Sequence, residues 1–341
     1  MLAHRVAEAL GVGPDALRID NRPPLPHQTN HLYDIWIDTT HLIGKVFCDA
    51  ERRRRPAAER EYAALHVMWP RGCAPRPVAF QAGTDPLVIY EFAPGAMWDR
   101  RVPTRAQLER LADVWLRLAA VPPAQLWPAP GESTPWTDIE SRMIGRLEKY
   151  VTWLRHASPD RQRTELAELS LEAARHILAS LRPLGDASYV PAFCHWDPRF
   201  ANIIEAPSGA LALVDWEDSG VRDPANDVAC LLTHPNQEDL LSPSAWSAFL
   251  EPYLESRSTH DPTLRARIEH WCGGFAIFWL SLLLEDGVSR STTGNLVDWR
   301  INAMEPNQRL RRYLARALAW PDPDFSRQLT ELQTCTFFDI A

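Results

Sequence analysis

Hydrophobic and polar positions change their period along the chain, and the changes mark its elements. Residues 1–17 are predicted to form a short helix. From Leu32 to Phe47 the run "LYDIWIDTTHLIGKVF" places β-branched and aromatic residues in near alternation, broken at Asp38-Thr39-Thr40. Period two with a polar interruption predicts two strands joined by a turn. Residues 50–68 read as a helix entered near Pro56. The apolar run 86–92, "PLVIYEF", is a buried strand, and Ala93-Pro94-Gly95 ends it. Two or three antiparallel strands with one helix make a small α+β lobe over residues 1–93. From 94 to 341 the period is mainly helical. Leu108, Leu111, Val114, Trp115 and Leu118 are spaced mostly three or four apart within 104–121. Residues 137–157 and 164–182 continue in that style, and 122–135 is a loop. A β interlude occupies 189–215, and helical periodicity returns from Pro224 to about residue 319.

Composition narrows the class. At roughly 150 residues per domain, 341 residues predict about two domains or one two-lobed unit. The formal net charge of −8 disfavours a nucleic-acid or anionic-membrane binder but leaves room for one local phosphate site. The six cysteines include no C-x-x-C pair and are irregularly spaced, which fits neither a disulfide framework nor a zinc site. A reducing, cytoplasmic location is the expectation. The N-terminal residues lack the long apolar run of a secretory signal. The longest apolar stretch, Trp271 to Leu284, falls short of the ~20 residues that span a bilayer and is expected to be a buried helix.

The chemistry is concentrated between Phe193 and Val228, "FCHWDPRFANIIEAPSGALALVDWEDSGVRDPANDV". Ile203-Ile204, a turn at Pro207-Ser208-Gly209 and Leu211 to Val214 predict a hairpin. Asn202 precedes its first strand and Asp215 follows its second. An antiparallel hairpin brings these two ends together. A carboxylate beside an amide carbonyl offers hard oxygen ligands suited to Mg2+. Asp197, five residues before Asn202, enters the same end of the hairpin from the preceding loop.

The pattern H-x-D-x-x-x-x-N, a hairpin, then Asp resembles the catalytic arrangement of kinase-fold phosphotransferases. "HWDPRFAN" and "DWEDSGVRDPANDVA" are similar to the aminoglycoside phosphotransferase and choline kinase-like superfamily of small-molecule kinases, which typically reads H-G-D there. Trp196 stands where those kinases carry glycine. Protein kinases would show Asp-Phe-Gly at the second motif and a later Ala-Pro-Glu; this chain has Asp215-Trp216-Glu217 and lacks the latter. The resemblance implies a two-lobed protein kinase-like α+β fold, with a small antiparallel-sheet N-lobe and a larger, mainly helical C-lobe. It implies ATP (or GTP) as co-substrate, Mg2+ as cofactor, and a small-molecule hydroxyl as acceptor, such as an aminoglycoside-like antibiotic or an amino alcohol. Asp197 would orient the acceptor hydroxyl and take up its proton. His195 would brace the catalytic loop. Asn202 and Asp215 would hold the metal, and Asp227 would anchor the loop. A nucleotide-binding pseudokinase and a regulatory module are the alternatives.

The first 93 residues supply matching parts. Lys45 lies amid apolar strand residues, a costly place for a charge without a partner. Glu61 shares a helix face with Leu65, four residues on, so a helix packed through Leu65 turns Glu61 toward Lys45. The segment "PLPHQTNHLYDIWI" sits where a phosphate-covering loop belongs yet has no glycine. The resemblance matches its Asn30 to an asparagine of small-molecule kinases and leaves Thr29 as a possible phosphate contact. "LVIYEFAPG" resembles the interlobe hinge, with the backbone of Glu91 and Ala93 bonding a purine. Arg52 to Arg55 read as a solvated charge run. Trp271 and Trp279 read as core, with an aromatic acceptor pocket rimmed by Glu285 and Asp286 as the other reading.

Overall fold

The computed structural model describes residues 2–23, 30–48, 56–99, 101–122, 136–157, 189–293 and 306–318, with scattered helical positions between 164 and 179. The chain divides into two compact units. The first comprises Met1–Glu132, Val190–Asp227 and Asp239–His260; the second comprises Ser133–Tyr189, Val228–Glu238 and Asp261–Ala341.

In the first unit, helix α1 (Leu2–Leu10) is followed by strand β1 (Leu17–Asn21), then β2 (His31–Ile37) and β3 (Thr40–Val46). Helix α2 (Ala57–Met68) leads to β4 (Pro77–Gln81) and β5 (Leu87–Glu91). These strands form one antiparallel sheet in the order β1-β2-β3-β5-β4. The expectation of two or three strands is therefore corrected to five. Residue 17, expected in the first helix, opens β1 instead, because Leu17 and Ile19 alternate with polar residues and pair with Ile37 and Ile35. The edge strand β4 also went unrecognised. It opens with a proline, which an edge or a strand start tolerates.

One face of this sheet is apolar. Ile35, Leu42, Val46, Leu87 and Ile89 pack there with Val6 of α1. Val6 is fully buried, and burying such a side chain contributes about 1.5–3 kcal/mol. Residues alternate faces along a strand, so Lys45, flanked by Gly44 and Val46, emerges from the opposite face.

Beyond β5 the chain does not turn directly into helix. A two-residue strand, β6 (Ala96–Met97), pairs with β8 (Ile203–Glu205), which pairs with β9 (Leu211–Leu213). Gly95 permits this approach: a Cβ there would lie 2.3 Å from the Glu205 carbonyl oxygen. β7 (Ala192–Cys194) pairs with β10 (Gly220–Arg222), a three-residue strand the sequence pattern does not reveal. Helix α3 (Arg105–Ala119) starts with a capping box between Thr104 and Gln107. It packs on α6 (Pro243–Arg257), with Trp115 and Phe249 edge to face.

The second unit has its own core. Helices α4 (Trp136–Ala157), α7 (Leu264–Thr293) and α8 (Pro306–Leu318) bring Leu147, Tyr150, Ile277, Leu280, Leu284 and Tyr313 together. Cys230, from the later part of α5 (Pro224–Thr233), joins them. α7 is longer than the apolar run suggested. Leu264–Ser289 is long and apolar enough by length and composition to cross a membrane, and half of that stretch is buried inside the structure.

Candidate active site

The loop between β7 and β8 is built to hold side chains still. His195 is fully buried, and its Nε2 lies 2.9 Å from the Val214 carbonyl oxygen, which can only accept. That bond places the proton on Nε2 and ties the loop to the end of the hairpin. His195 also packs against Trp216, ring centroids 4.6 Å apart. Fully buried and spent on these two contacts, it positions the loop. Asp227, at the start of α5, accepts a 2.7 Å hydrogen bond from the Trp196 N–H. Burial pushes its carboxyl up, and His195 and two backbone N–H groups of the loop counter that push. Two non-glycine residues here adopt positive φ: Trp196 at 73° and Asp215 at 69°. Such conformations persist where the surroundings over-determine them, and they cluster at functional sites.

The hairpin brings residues 202 and 215 together as its geometry predicts. The Val214 N–H bonds the Asn202 carbonyl oxygen at 3.0 Å. A single guanidinium, that of Arg199, lies 3.3 Å from Asn202 Oδ1, 3.4 Å from Asp215 Oδ2 and 3.2 Å from Asp197 Oδ2. Asn202 Nδ2 donates to the carbonyl and carboxylate oxygens of Asp197, at 3.0 and 3.1 Å. Asp197, Asn202 and Asp215 thus form one cluster. Arg199 was not singled out from the sequence. The signal was available, since it lies inside the H-x-D-x-x-x-x-N motif two residues after Asp197.

Lys45 joins the cluster from β3. Its Nζ is 2.6 Å from Glu61 Oε2, 2.5 Å from Asp215 Oδ1 and 3.2 Å from Glu217 Oε2. Burial opposes the lysine's charge, but Asp215 and Glu61 outweigh it and hold the ammonium above its ordinary pKa. Burial likewise pushes the Asp215 carboxyl up, yet Lys45 and Arg199 hold it well below its ordinary value. Glu61 goes the other way: desolvation raises it and Lys45 only partly offsets that. Glu217 is the second residue missed from the sequence, although it lies two positions after Asp215. It accepts a 2.6 Å bond from Asn30 Nδ2. Asn30 is therefore in the site, with its amide nitrogen on Glu217 and its Oδ1 buried without a hydrogen-bond partner.

The oxygen donors fit a hard cation. Glu61, Asp215 and Glu217 each bring a carboxylate oxygen within 4.8 Å of the others. Asn202 Oδ1 shares the Arg199 guanidinium with Asp215. Carboxylate and amide oxygens are the donors Mg2+ prefers, and the charges of Lys45 and Arg199 show that the set attracts positive charge.

At the hinge, the Glu91 N–H donates to the Arg76 carbonyl oxygen at 2.9 Å, and its carboxylate meets the Arg76 guanidinium. Among the described residues, Ala93 has no hydrogen bond to either of its backbone groups, and it lines a cavity of about 220 Å³ with Phe92, Pro94, Ile204 and Leu211. Thr29, the run Arg52–Arg55 and residues 123–135 lie outside the described residues. Trp279 is buried in the core of the second unit. Glu285, which the other reading of that helix put on an acidic rim, is held by Arg146 at 2.9 Å and Lys149 at 2.7 Å.

The model of the phosphotransferase enzyme family matches residues 24–270. Among curated proteins, none matches this chain by sequence. Among solved structures, an ethanolamine kinase from Plasmodium vivax superposes with a TM-score of 0.62 at 18% identity, over 96% of this chain and 88% of that one. A choline kinase from Streptococcus pneumoniae gives 0.61 at 18%, over 94% and 98%. A spectinomycin phosphotransferase, solved with ADP and spectinomycin, gives 0.56 at 12%, over 98% of each chain. At these identities the likeness establishes the fold, which is kinase-like.

Proposed function

Because the chain belongs to the phosphotransferase enzyme family, we propose that it transfers the γ-phosphoryl group of ATP (or GTP) to a hydroxyl of a small molecule, with Mg2+. One observation carries this reading. Asp197, Asn202 and Asp215 converge with Lys45, which is distant in sequence, through two cations, with Lys45 Nζ 2.5 Å from Asp215 and Arg199 bridging the other three. Phosphoryl transfer needs little covalent help from a protein; it needs positioning and charge neutralisation. The cluster supplies both.

In the reaction the acceptor oxygen attacks the γ-phosphorus, the bond to the β,γ-bridging oxygen breaks, and the nucleoside diphosphate leaves. Asp197 accepts a hydrogen bond from the acceptor hydroxyl, orients it, and receives its proton as the new P–O bond forms. Lys45, fixed by Glu61, meets phosphate oxygens from the sheet side. Arg199 supplies a second positive charge beside Asp197. Asp215, Asn202 and Glu217 are the oxygen donors that would hold Mg2+, which supplies charge neutralisation on the nucleotide phosphates. Asn30 keeps Glu217 in place. The free backbone groups of Ala93 suit the edge of a purine. The named neighbours act on ethanolamine, choline and spectinomycin, so the acceptor class we propose is a small hydroxyl compound. The reducing, cytoplasmic location expected from the cysteine pattern remains part of this proposal.

The test is an acceptor screen. Purified protein with Mg-ATP is offered aminoglycosides, amino alcohols, sugars and hydroxymethyl aromatics while ADP is followed. The expected result is acceptor-dependent ADP formation, with a product heavier by one phosphoryl group. Mg-nucleotide binding without turnover of any acceptor would favour the pseudokinase instead.

A further inference from the structure

We propose that Lys45 keeps the place of a divalent cation: its ammonium fills a latent metal site made of Glu61, Asp215, Glu217 and Asn30, so a free cation is shut out and enters only with an anion that draws the lysine away. That the anion is a nucleotide polyphosphate rests on the phosphotransferase reading above; that the lysine fills the site does not.

The first observation is where the ammonium sits. Glu61, Asp215 and Glu217 each bring a carboxylate oxygen within 4.8 Å of the others. Lys45 Nζ lies 2.6 Å from Glu61 Oε2, 2.5 Å from Asp215 Oδ1 and 3.2 Å from Glu217 Oε2. The position within reach of all three carboxylates is therefore the position the nitrogen holds. Mg2+ bonded to Asp215 Oδ1 at about 2.1 Å would lie no more than about 4.6 Å from Nζ. Two positive charges so close, away from bulk water, repel strongly. The ammonium and a divalent cation exclude each other.

The second observation is a pair of spare oxygens. Lys45, Glu61, Glu217 and Asn30 are all more than nine-tenths buried. An ammonium has three protons to donate, and three carboxylates surround this one. Among the described residues, Glu61 Oε1 and Asn30 Oδ1 are buried and accept no hydrogen bond. Each belongs to a group already tied into the cluster by its other atom. Glu61 is held through Oε2 on Lys45, and Asn30 through Nδ2, which donates to Glu217 at 2.6 Å. The ammonium has no fourth proton for these oxygens, whereas Mg2+ takes six oxygen ligands.

The third observation is charge. Three carboxylates face one ammonium, and the Arg199 guanidinium reaches only Asp215 among them, at 3.4 Å. The set would attract a divalent cation more strongly than it attracts a lysine. What closes it is the lysine's presence. Asp215 is the member that solvent reaches, its side chain 25% exposed. An anion that takes up the Lys45 charge leaves the carboxylates to the metal.

The experiment titrates Mn2+ into the full-length protein without nucleotide and follows the electron paramagnetic resonance of the free ion. Lys45→Ala vacates the position of the nitrogen; Lys45→Met removes the charge but leaves a methyl group there. Lys45→Ala is expected to bind Mn2+ at least about tenfold more tightly than wild type, the size of effect one neighbouring group has on metal affinity. Lys45→Met is expected to bind no more tightly than wild type. Adding Glu217→Gln to Lys45→Ala is expected to abolish the gain. If Lys45→Ala does not fold, the comparison is made in Lys45→Ala/Glu61→Gln, which lacks the carboxylate left without a cation. Equal Mn2+ affinity in wild type and the alanine variant overturns the proposal. So does a methionine variant that matches alanine, because charge alone would then do the excluding. With ADP present, wild type is expected to take up Mn2+. Failure there sinks the phosphotransferase reading, and the nucleotide-free comparison still decides the role of Lys45.

Discussion

Replacing Lys45 with methionine keeps the length of the side chain and removes its charge. The lysine is buried and faces three carboxylates, at 2.6 Å from Glu61, 2.5 Å from Asp215 and 3.2 Å from Glu217. Removing one partner from a buried ionic cluster costs about 3–5 kcal/mol, because the remaining charge is left uncompensated. Here Asp215 keeps Arg199, but Glu61 keeps no cation that the structure shows. Burial already raises the Glu61 carboxyl, and Lys45 is what restrains it. In the variant its folded pKa rises further above the ordinary 4.5. A group with a raised folded pKa contributes stability that is present below its unfolded pKa and is lost as pH rises. Lys45→Met should therefore be several kcal/mol less stable than wild type near neutral pH, and the gap should narrow toward about pH 5 as Glu61 takes up a proton. Urea unfolding at the two pH values measures it. A loss under about 1 kcal/mol, typical of an exposed pair, or the same loss at both pH values, would refute the argument that this cluster is buried and coupled.

Asp215→Asn should flatten the acid limb of the stability curve. The Asp215 carboxyl is held well below its ordinary 3.8 by Lys45 and Arg199 against the effect of burial. Its contribution is present above the unfolded pKa and lost as pH falls, so the variant should lose less stability than wild type between about pH 5 and pH 3. Gly95→Ala should destabilise by about 1–3 kcal/mol through backbone displacement, since its Cβ would lie 2.3 Å from the Glu205 carbonyl oxygen. A denaturation midpoint equal to wild type would show that β6 and β8 do not approach as closely as described.

The site was readable where its residues sit close together in the chain. Asp197 and Asn202 are five residues apart, and the hairpin that delivers Asp215 is marked by alternation on either side of Pro207-Ser208-Gly209. Lys45 and Glu61 were readable for a different reason: a lysine among apolar strand residues demands a partner, and a helix face supplied one. Contacts that depend on distant segments were not readable. Asn30 meets Glu217 across 187 positions, a pairing no local pattern encodes. The commitment of the Glu91 N–H to Arg76 follows from β4, an edge strand too short and too irregular to announce itself. Arg199 was overlooked because an arginine in a loop is ordinarily solvated, and only the fold turns it back onto Asp197, Asn202 and Asp215.

The central claim is that residues 45, 197, 202 and 215 form one phosphoryl-transfer site, with Asp197 acting on the acceptor rather than on the nucleotide. Its most direct test is Asp197→Ala, with turnover on the best acceptor and Mg-ADP affinity measured on the same preparation. The expected result is a kcat lower by roughly 10²–10⁴-fold with Mg-ADP bound as in wild type. Turnover that survives the substitution would contradict it.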